Sequence, residues 1–307
     1  MNIERIEAIY REILGPFPDR VPLDLQTLDE EDCGDFTRSL VSWQNDAEER
    51  VEGYLLKPKT TDSEKLPAVM AFHGHGAWDL GKKSTAGVEP EEGRSYLGPD
   101  LARRGFVVLC GDAICWGPRQ NPAGKPAGVM YERVVAMRLL AQGRCMASQY
   151  VWDAIRQCDV LESLDCVDEH RIGAIGVSMG SGHSWLSAMV EKRIAALVGV
   201  SSFYTYKALY EPPISHCYMN HLPGVLKYGI ETYDLFELIA PRPFLMINGK
   251  TEEQDPVEAT RELYEKARHA WEAVGAGVDF KLHFHDEGHG FTPETRQMAY
   301  EWLERKL

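Results

Sequence analysis

One serine framed by glycines, Ser178 in Gly176-Val177-Ser178-Met179-Gly180, is the side chain best set for nucleophilic chemistry. It ends the apolar run "IGAIGV" and precedes a helical pattern over about 179–192. A strand that turns sharply into a helix leaves no room for side chains beside the nucleophile, so glycine is needed on both flanks. The hydroxyl then sits at a helix N-terminus, where the dipole favours a developing negative charge. The competing reading is an ordinary strand-to-helix turn.

A serine hydroxyl needs a base to take its proton. Of the ten histidines, His289 lies in "HDEGHGF" (285–291), a glycine-bracketed loop after the last apolar run. Glycines at 288 and 290 let it project back over a sheet edge. A packed loop histidine is the plainer reading, and His283, His285 and His289 could also be read as metal ligands, without a carboxylate or cysteine at ligand spacing. The acid is expected in "GKTEEQDPVEAT" (249–260). Asp255 precedes Pro256 and stands three before Glu258, a capping-box pattern that would occupy it. Glu252, three residues past Gly249, is therefore favoured, with Asp255 as rival. The oxyanion of acyl transfer needs two N–H donors. Met179 supplies one, and His75, between Gly74 and Gly76 in "FHGHG", is the candidate for the other. His73 and His75 as metal ligands are the alternative.

These residues need elements to place them. "VEGYLLKP" (51–58), "LPAVMAFHGHG" (66–76), "FVVLCGD" (106–112), "IGAIGVS" (172–178), "AALVGVSS" (195–202), "FLMING" (244–249) and "FKLHFH" (280–285) read as strands. Helical patterns over 95–105, 145–164, 179–192, 256–274 and 293–307 lie between or after them. Strands apolar on both faces, alternating with helices, argue for a parallel sheet covered on both sides. "FTRSLVSW" (36–43) could pair antiparallel with "VEGYLLKP". Residues 77–94, 113–145 and 203–240 break the alternation and read as insertions over the strand ends, where ligands bind. Trp78, Trp116, Tyr204, His216 and Phe291 come from loops near the nucleophile and are candidates to line the pocket. The amphipathic N-terminal stretch suggests a helical cover over 1–45, ahead of one catalytic domain over 46–307.

Composition narrows the function. The 307 residues are 44% hydrophobic and carry a formal net charge of −14. That balance argues against nucleic acid or an anionic membrane as partner. No apolar run reaches the length of a membrane span, and the N-terminal stretch lacks a signal-peptide pattern. Seven cysteines without a C-x-x-C pair read as reduced thiols in a cytoplasmic protein.

With "FHGHG", "LARRGFVVLCGDAICWGPR", "DEHRIGAIGVSMGSG", "IAPRPFLMING" and "EGHGF" in this order, the sequence resembles the α/β-hydrolase superfamily from about residue 50 onward. Within it the chain is most similar to the dienelactone-hydrolase and acetyl-xylan-esterase-like group. The resemblance implies an eight-stranded, mostly parallel sheet with helices on both faces and a Ser–acid–His triad, with Ser178 as nucleophile and His289 as base. The group's acid is an Asp three residues after the strand-end glycine with a proline four further on. Here Gly249, Glu252 and Pro256 keep that spacing, so Glu replaces Asp. It implies hydrolysis of short acyl esters, including acetylated sugars, with a small-molecule ester as partner, no metal or organic cofactor, and a homodimer, a state common among such enzymes. Two other readings share the fold: a prolyl-oligopeptidase-like peptidase or amidase, and a non-catalytic pseudo-hydrolase that binds a small molecule.

Overall fold

The computed structural model describes residues 1–59, 65–76, 80–88, 96–120, 129–211 and 217–307. Nine strands form one sheet: β1 (Gln26–Asp32), β2 (Phe36–Gln44), β3 (Arg50–Pro58), β4 (Leu66–Phe72), β5 (Val107–Gly111), β6 (Val167–Val177), β7 (Ile194–Val200), β8 (Phe244–Gly249) and β9 (Phe280–His285). Their spatial order is β1-β2-β3-β5-β4-β6-β7-β8-β9. The first three strands and the β3–β5 junction are antiparallel, and β5-β4-β6-β7-β8-β9 run parallel. The expected pairing of "FTRSLVSW" with "VEGYLLKP" is present, with Val41 opposite Gly53 and Trp43 opposite Val51.

The expected count of eight strands falls one short. β1, "QTLDEED", is exposed along its whole length and has no apolar alternation for a sequence reading to detect. Its charges suit an edge strand, where they discourage pairing with another chain. For the same reason the expected helical cover over 1–45 is corrected. Only α1 (Ile3–Leu14) is helical there, and residues 26–44 belong to the sheet. α1 does cover the sheet: Ile6, Ile9, Tyr10, Ile13 and Leu14 are buried, and Tyr10 donates its hydroxyl hydrogen to the Leu186 carbonyl at 3.0 Å.

Hydrophobic clusters fill both faces of the sheet. One gathers α1 with α4 (Met146–Glu162), α5 (Met179–Ala188) and α6 (Val257–Ala273), after α2 (Leu97–Arg103) and α3 (Val129–Ala141) in the chain; the other gathers α2 and α7 (Pro293–Lys306). The layered α/β architecture expected of an α/β-hydrolase is thus in place. Strands that are buried on both sides, such as β5 and β8, account for the unbroken apolar runs.

The order of strands fixes where a ligand belongs. From β4 the chain moves to one neighbour, β5, and then returns to form β6 on the other side of β4. Ligands bind outside the carboxyl ends of strands at such a reversal. The β4 end carries His73–Gly76 and the β6 end carries Ser178. Of the stretches read as insertions, 77–79, 89–95, 121–128 and 212–216 lie outside the described residues. The remainder contains the short helix Lys82–Ala86, α3, and brief helical turns between 206 and 236.

Candidate active site

Ser178 stands between β6 and α5 with φ 56° and ψ −120°. A non-glycine residue rarely adopts this conformation, and holding it costs on the order of 1–3 kcal/mol. The strain is held by backbone bonds on both sides. The Ser178 amide donates to Val200 at 2.7 Å, and the Gly182 amide donates to the Ser178 carbonyl at 3.1 Å. The flanking glycines are required by contact. A Cβ on Gly176 would stand 2.2 Å from the Gly180 carbonyl carbon, and one on Gly180 would stand 2.3 Å from the Phe72 carbonyl oxygen. The helix therefore starts pressed against both β6 and β4. Phe72 and His183 lock it there, their rings stacked at 3.7 Å. Burial holds the His183 imidazole neutral by lowering its pKa to about 3.

The β4 loop passes along the same edge. Gly74 lets it run close to Val177, whose carbonyl oxygen would be 3.4 Å from an added Cβ. His73 is buried and accepts from the Ala113 amide through Nε2 at 3.0 Å. Burial, outweighing the Asp112 charge, pulls its pKa down. His75 pairs through Nε2 with the buried Glu132 carboxylate at 3.0 Å. Both histidines thus have partners that fix the loop.

At the other side of the cleft, the loops after β8 and β9 are joined. Lys250 donates its amide to His285, and Thr251 to Glu287. Gly249 permits this, because a Cβ there would lie 2.2 Å from the Gly288 carbonyl oxygen. The joined loops bring His289 Nδ1 to 2.7 Å from Glu252 Oε2. Glu252 is buried and accepts twice more, from Ser201 Oγ at 3.0 Å and from the Gln254 amide at 2.9 Å. Burial opposes ionisation, but the bond from His289, that from Gln254, the His289 charge and the Ser201 hydroxyl together hold the Glu252 carboxyl below its ordinary range.

Asp255 is differently employed. Its Oδ2 accepts from the Ser202 amide at 2.6 Å, and burial with the nearby Glu252 charge raises its pKa to about 7. The expected capping role is corrected: Pro256 is the N-cap of α6, with no side-chain cap bond. The bond to Ser202 replaces it because consecutive left-handed residues, Ser201 at φ 59° and Ser202 at φ 64°, turn that amide toward Asp255. Ser201 is a residue that the sequence reading missed. Nothing in "VSSF" announces a left-handed pair or a hydroxyl aimed at Glu252.

Glu252, Asp255 and His289 place ligand-type atoms within 4.8 Å of one another, the group among the described residues that could hold an ion. The bonds just described already use the facing atoms of Glu252 and His289. Neither His283 nor His285 joins this group, and His285 Nδ1 accepts from the Glu287 amide.

Ser178, His289 and His75 share one cavity of about 370 Å³, walled also by Phe72, Leu97, Gln254, Phe291 and Arg296. Of the five expected pocket residues, Phe291 lines it, and Trp78 and His216 lie outside the described residues. Trp116 and Tyr204 are corrected: both are fully buried. Trp116 packs edge-on against His75 at 5.1 Å, and Tyr204 against Trp185 at 5.8 Å. Left-handed turns just before them, at Cys115 (φ 78°) and at Ser201-Ser202, fold these segments back into the core. The Trp116 loop is clamped by Arg119, which is paired with Glu49 and the buried Asp153 and donates to the Asp112 carbonyl.

Comparison with known proteins gives the family and the fold. Residues 38–211, more than half of the chain, match the acetyl xylan esterase (AXE1) family. YtaP of Bacillus subtilis (strain 168), named as a hydrolase, is 27% identical over the full length of both chains. Among solved structures, the fold is shared with a glucuronoyl esterase from Solibacter usitatus at a TM-score of 0.72 and 16% identity, covering 99% of this chain and 91% of that one. It is shared also with methylesterase BT1017 at a TM-score of 0.71 and 20% identity, covering 98% and 62%. No helix among the described residues is long and apolar enough to cross a membrane. The chain belongs to the acetyl xylan esterase family and is an α/β-hydrolase, a carboxylic-ester hydrolase of the serine type.

Proposed function

We propose that Ser178, His289 and Glu252 form the catalytic triad of an esterase acting on short acyl esters, acetylated sugars foremost. His289 takes the Ser178 proton on Nε2, because Nδ1 is engaged by Glu252. Ser178 Oγ attacks the ester carbonyl, and the resulting oxyanion is held by the amides of Met179 and His75. The carboxylate of Glu252 stabilises the imidazolium and fixes its tautomer. His289 then protonates the leaving alcohol, and a water activated by the same imidazole releases the acid from the acyl-enzyme.

The observation that carries this reading is the 2.7 Å contact between His289 and the buried Glu252 on the cavity that Ser178 also lines. The rival acid, Asp255, is bonded to the Ser202 amide instead. The reading also includes a reducing, cytoplasmic setting, supported by seven free cysteines. It includes a homodimer too, for which the exposed apolar stripe Met130, Val134, Met137 and Leu140 on α3 offers a face. Sedimentation velocity of the wild type tests the dimer.

The functional test is turnover of 4-nitrophenyl acetate, butyrate and octanoate, and of peracetylated xylose, by wild type and Ser178→Ala. Acetate should be the fastest nitrophenyl ester, the sugar should be deacetylated, and Ser178→Ala should be inactive. Equal rates for both proteins would remove Ser178 from the chemistry.

A further inference from the structure

We propose that Arg296 makes the cleft selective for esters bearing an anionic group, a carboxylate or a phosphate, set apart from the bond that is cleaved. The inference rests on the assignment of this cavity as the esterase site. Arg296 is the only Lys or Arg among the described residues lining the cavity of Ser178 and His289. Its Nε is buried with no hydrogen-bond partner, and no carboxylate of a described residue lies within 4.0 Å of its guanidinium. That is unusual company for a cation in a chain of net charge −14. Arg103 and Arg104, which share a neighbouring hollow with Arg296, are both paired, with Asp35 and Asp100 and with Glu304 respectively. The acid next along that hollow, Asp100, already accepts from the Tyr300 hydroxyl at 3.0 Å.

A guanidinium left unpaired by the described residues of a cleft wall is suited to an incoming anion, because its fork of donors matches a carboxylate or phosphate edge. Its setting strengthens the field. Arg296 lies in the first turn of α7, a helix of 14 residues capped by Thr292, whose N-terminus adds partial positive charge. Gln254, on the opposite loop, lines the same cavity. A cavity of about 370 Å³ holds far more than an acetyl group, so the acidic part of a substrate has room beside the ester.

The test compares kcat/KM for matched charged and neutral esters. 4-Acetoxybenzoate against 4-acetoxybenzamide reads a carboxylate on the alcohol side. 4-Nitrophenyl hemisuccinate against 4-nitrophenyl butyrate reads one on the acyl side, and 4-acetoxyphenyl phosphate against 4-acetoxybenzamide reads a phosphate. Wild type should favour at least one charged member, and that ratio should fall about tenfold or more in Arg296→Gln, recover in part in Arg296→Lys, and narrow with added salt. The pair that responds identifies the anion and its side. Ratios unchanged by Arg296→Gln in all three pairs would overturn the proposal. Calorimetric binding of 4-acetoxybenzoate and 4-acetoxyphenyl phosphate to Ser178→Ala, with and without Arg296→Gln, reads the anion site apart from hydrolysis. Binding that weakens about tenfold with Arg296→Gln keeps the site even if neutral esters are not cleaved, a result that would instead defeat the triad assignment. Binding of both anions that is indifferent to Arg296 counts against the site.

Discussion

Replacing Glu252 by Gln keeps the shape of the side chain and removes its charge, which isolates the role assigned to the acid. In the proposed mechanism His289 becomes an imidazolium in the transition state, and its Nδ1 is 2.7 Å from Glu252 Oε2. Two unit charges about 4 Å apart at an effective dielectric near 20 attract by about 4 kcal/mol. At 1.36 kcal/mol per tenfold, this is a rate factor of about 10³. The Gln amide can also donate to Nδ1 and stabilise the wrong tautomer, which takes the expected loss toward about 10⁴. Asp255→Asn should cost about tenfold at most, because Asp255 bonds the Ser202 amide, and an Asn oxygen can still accept that bond. The assay is kcat/KM on 4-nitrophenyl acetate for wild type and both variants, with thermal melts to confirm that each is folded. A larger loss in Asp255→Asn than in Glu252→Gln would refute the reasoning and transfer the acid role.

Three further outcomes follow from the geometry. Ser201→Ala removes the hydroxyl that holds Glu252 Oε2 at 3.0 Å, and kcat should fall about tenfold with KM little changed, because Ser201 positions the acid without touching substrate; a shifted acid limb of the pH–rate profile separates this from simple destabilisation. Asp255 has a folded pKa raised to about 7 from an ordinary 3.8, so its tighter proton binding contributes to folded stability fully below pH 3.8, and that contribution is lost as pH rises through about 7. Glu252, held below its ordinary value, acts in the opposite sense, its contribution present at neutral pH and lost on acidification. Melts across pH 4–7 should therefore show Asp255→Asn gaining on wild type as pH rises, and a constant difference would contradict the raised pKa. Gly180→Ala places a methyl 2.3 Å from the Phe72 carbonyl oxygen and should destabilise by about 1–3 kcal/mol or more, measured by denaturant unfolding; an unchanged midpoint would mean that the elbow is looser than described.

The parts of this molecule that could be read from the sequence are those where one local rule dominated. Continuous apolar runs give β4 through β8, and the glycine-framed Ser178 gives the strained turn. β1 escaped because an edge strand made of "QTLDEED" buries nothing and so carries no periodic signal. The spacing from Gly249 favours Glu252, whereas the capping pattern at Asp255 does not form, since Pro256 is the N-cap of α6. Asp255 serves the Ser202 amide, which depends on two left-handed serines that neighbouring residue types do not encode. The misplacement of Trp116 and Tyr204 has the same origin, since a single positive φ decides whether an aromatic faces cleft or core. Arg296 went unread because it is one charge among many on an amphipathic helix, and only the fold sets it beside Ser178.

The most direct test of the central claim is to trap the acyl-transfer step. The wild type is treated with a fluorophosphonate, and peptide mapping by mass spectrometry locates the adduct. A single adduct on Ser178, slowed in Glu252→Gln and lost in Ser178→Ala together with esterase turnover, is the expected result. An adduct on another residue, or turnover that survives in Ser178→Ala, would contradict the account.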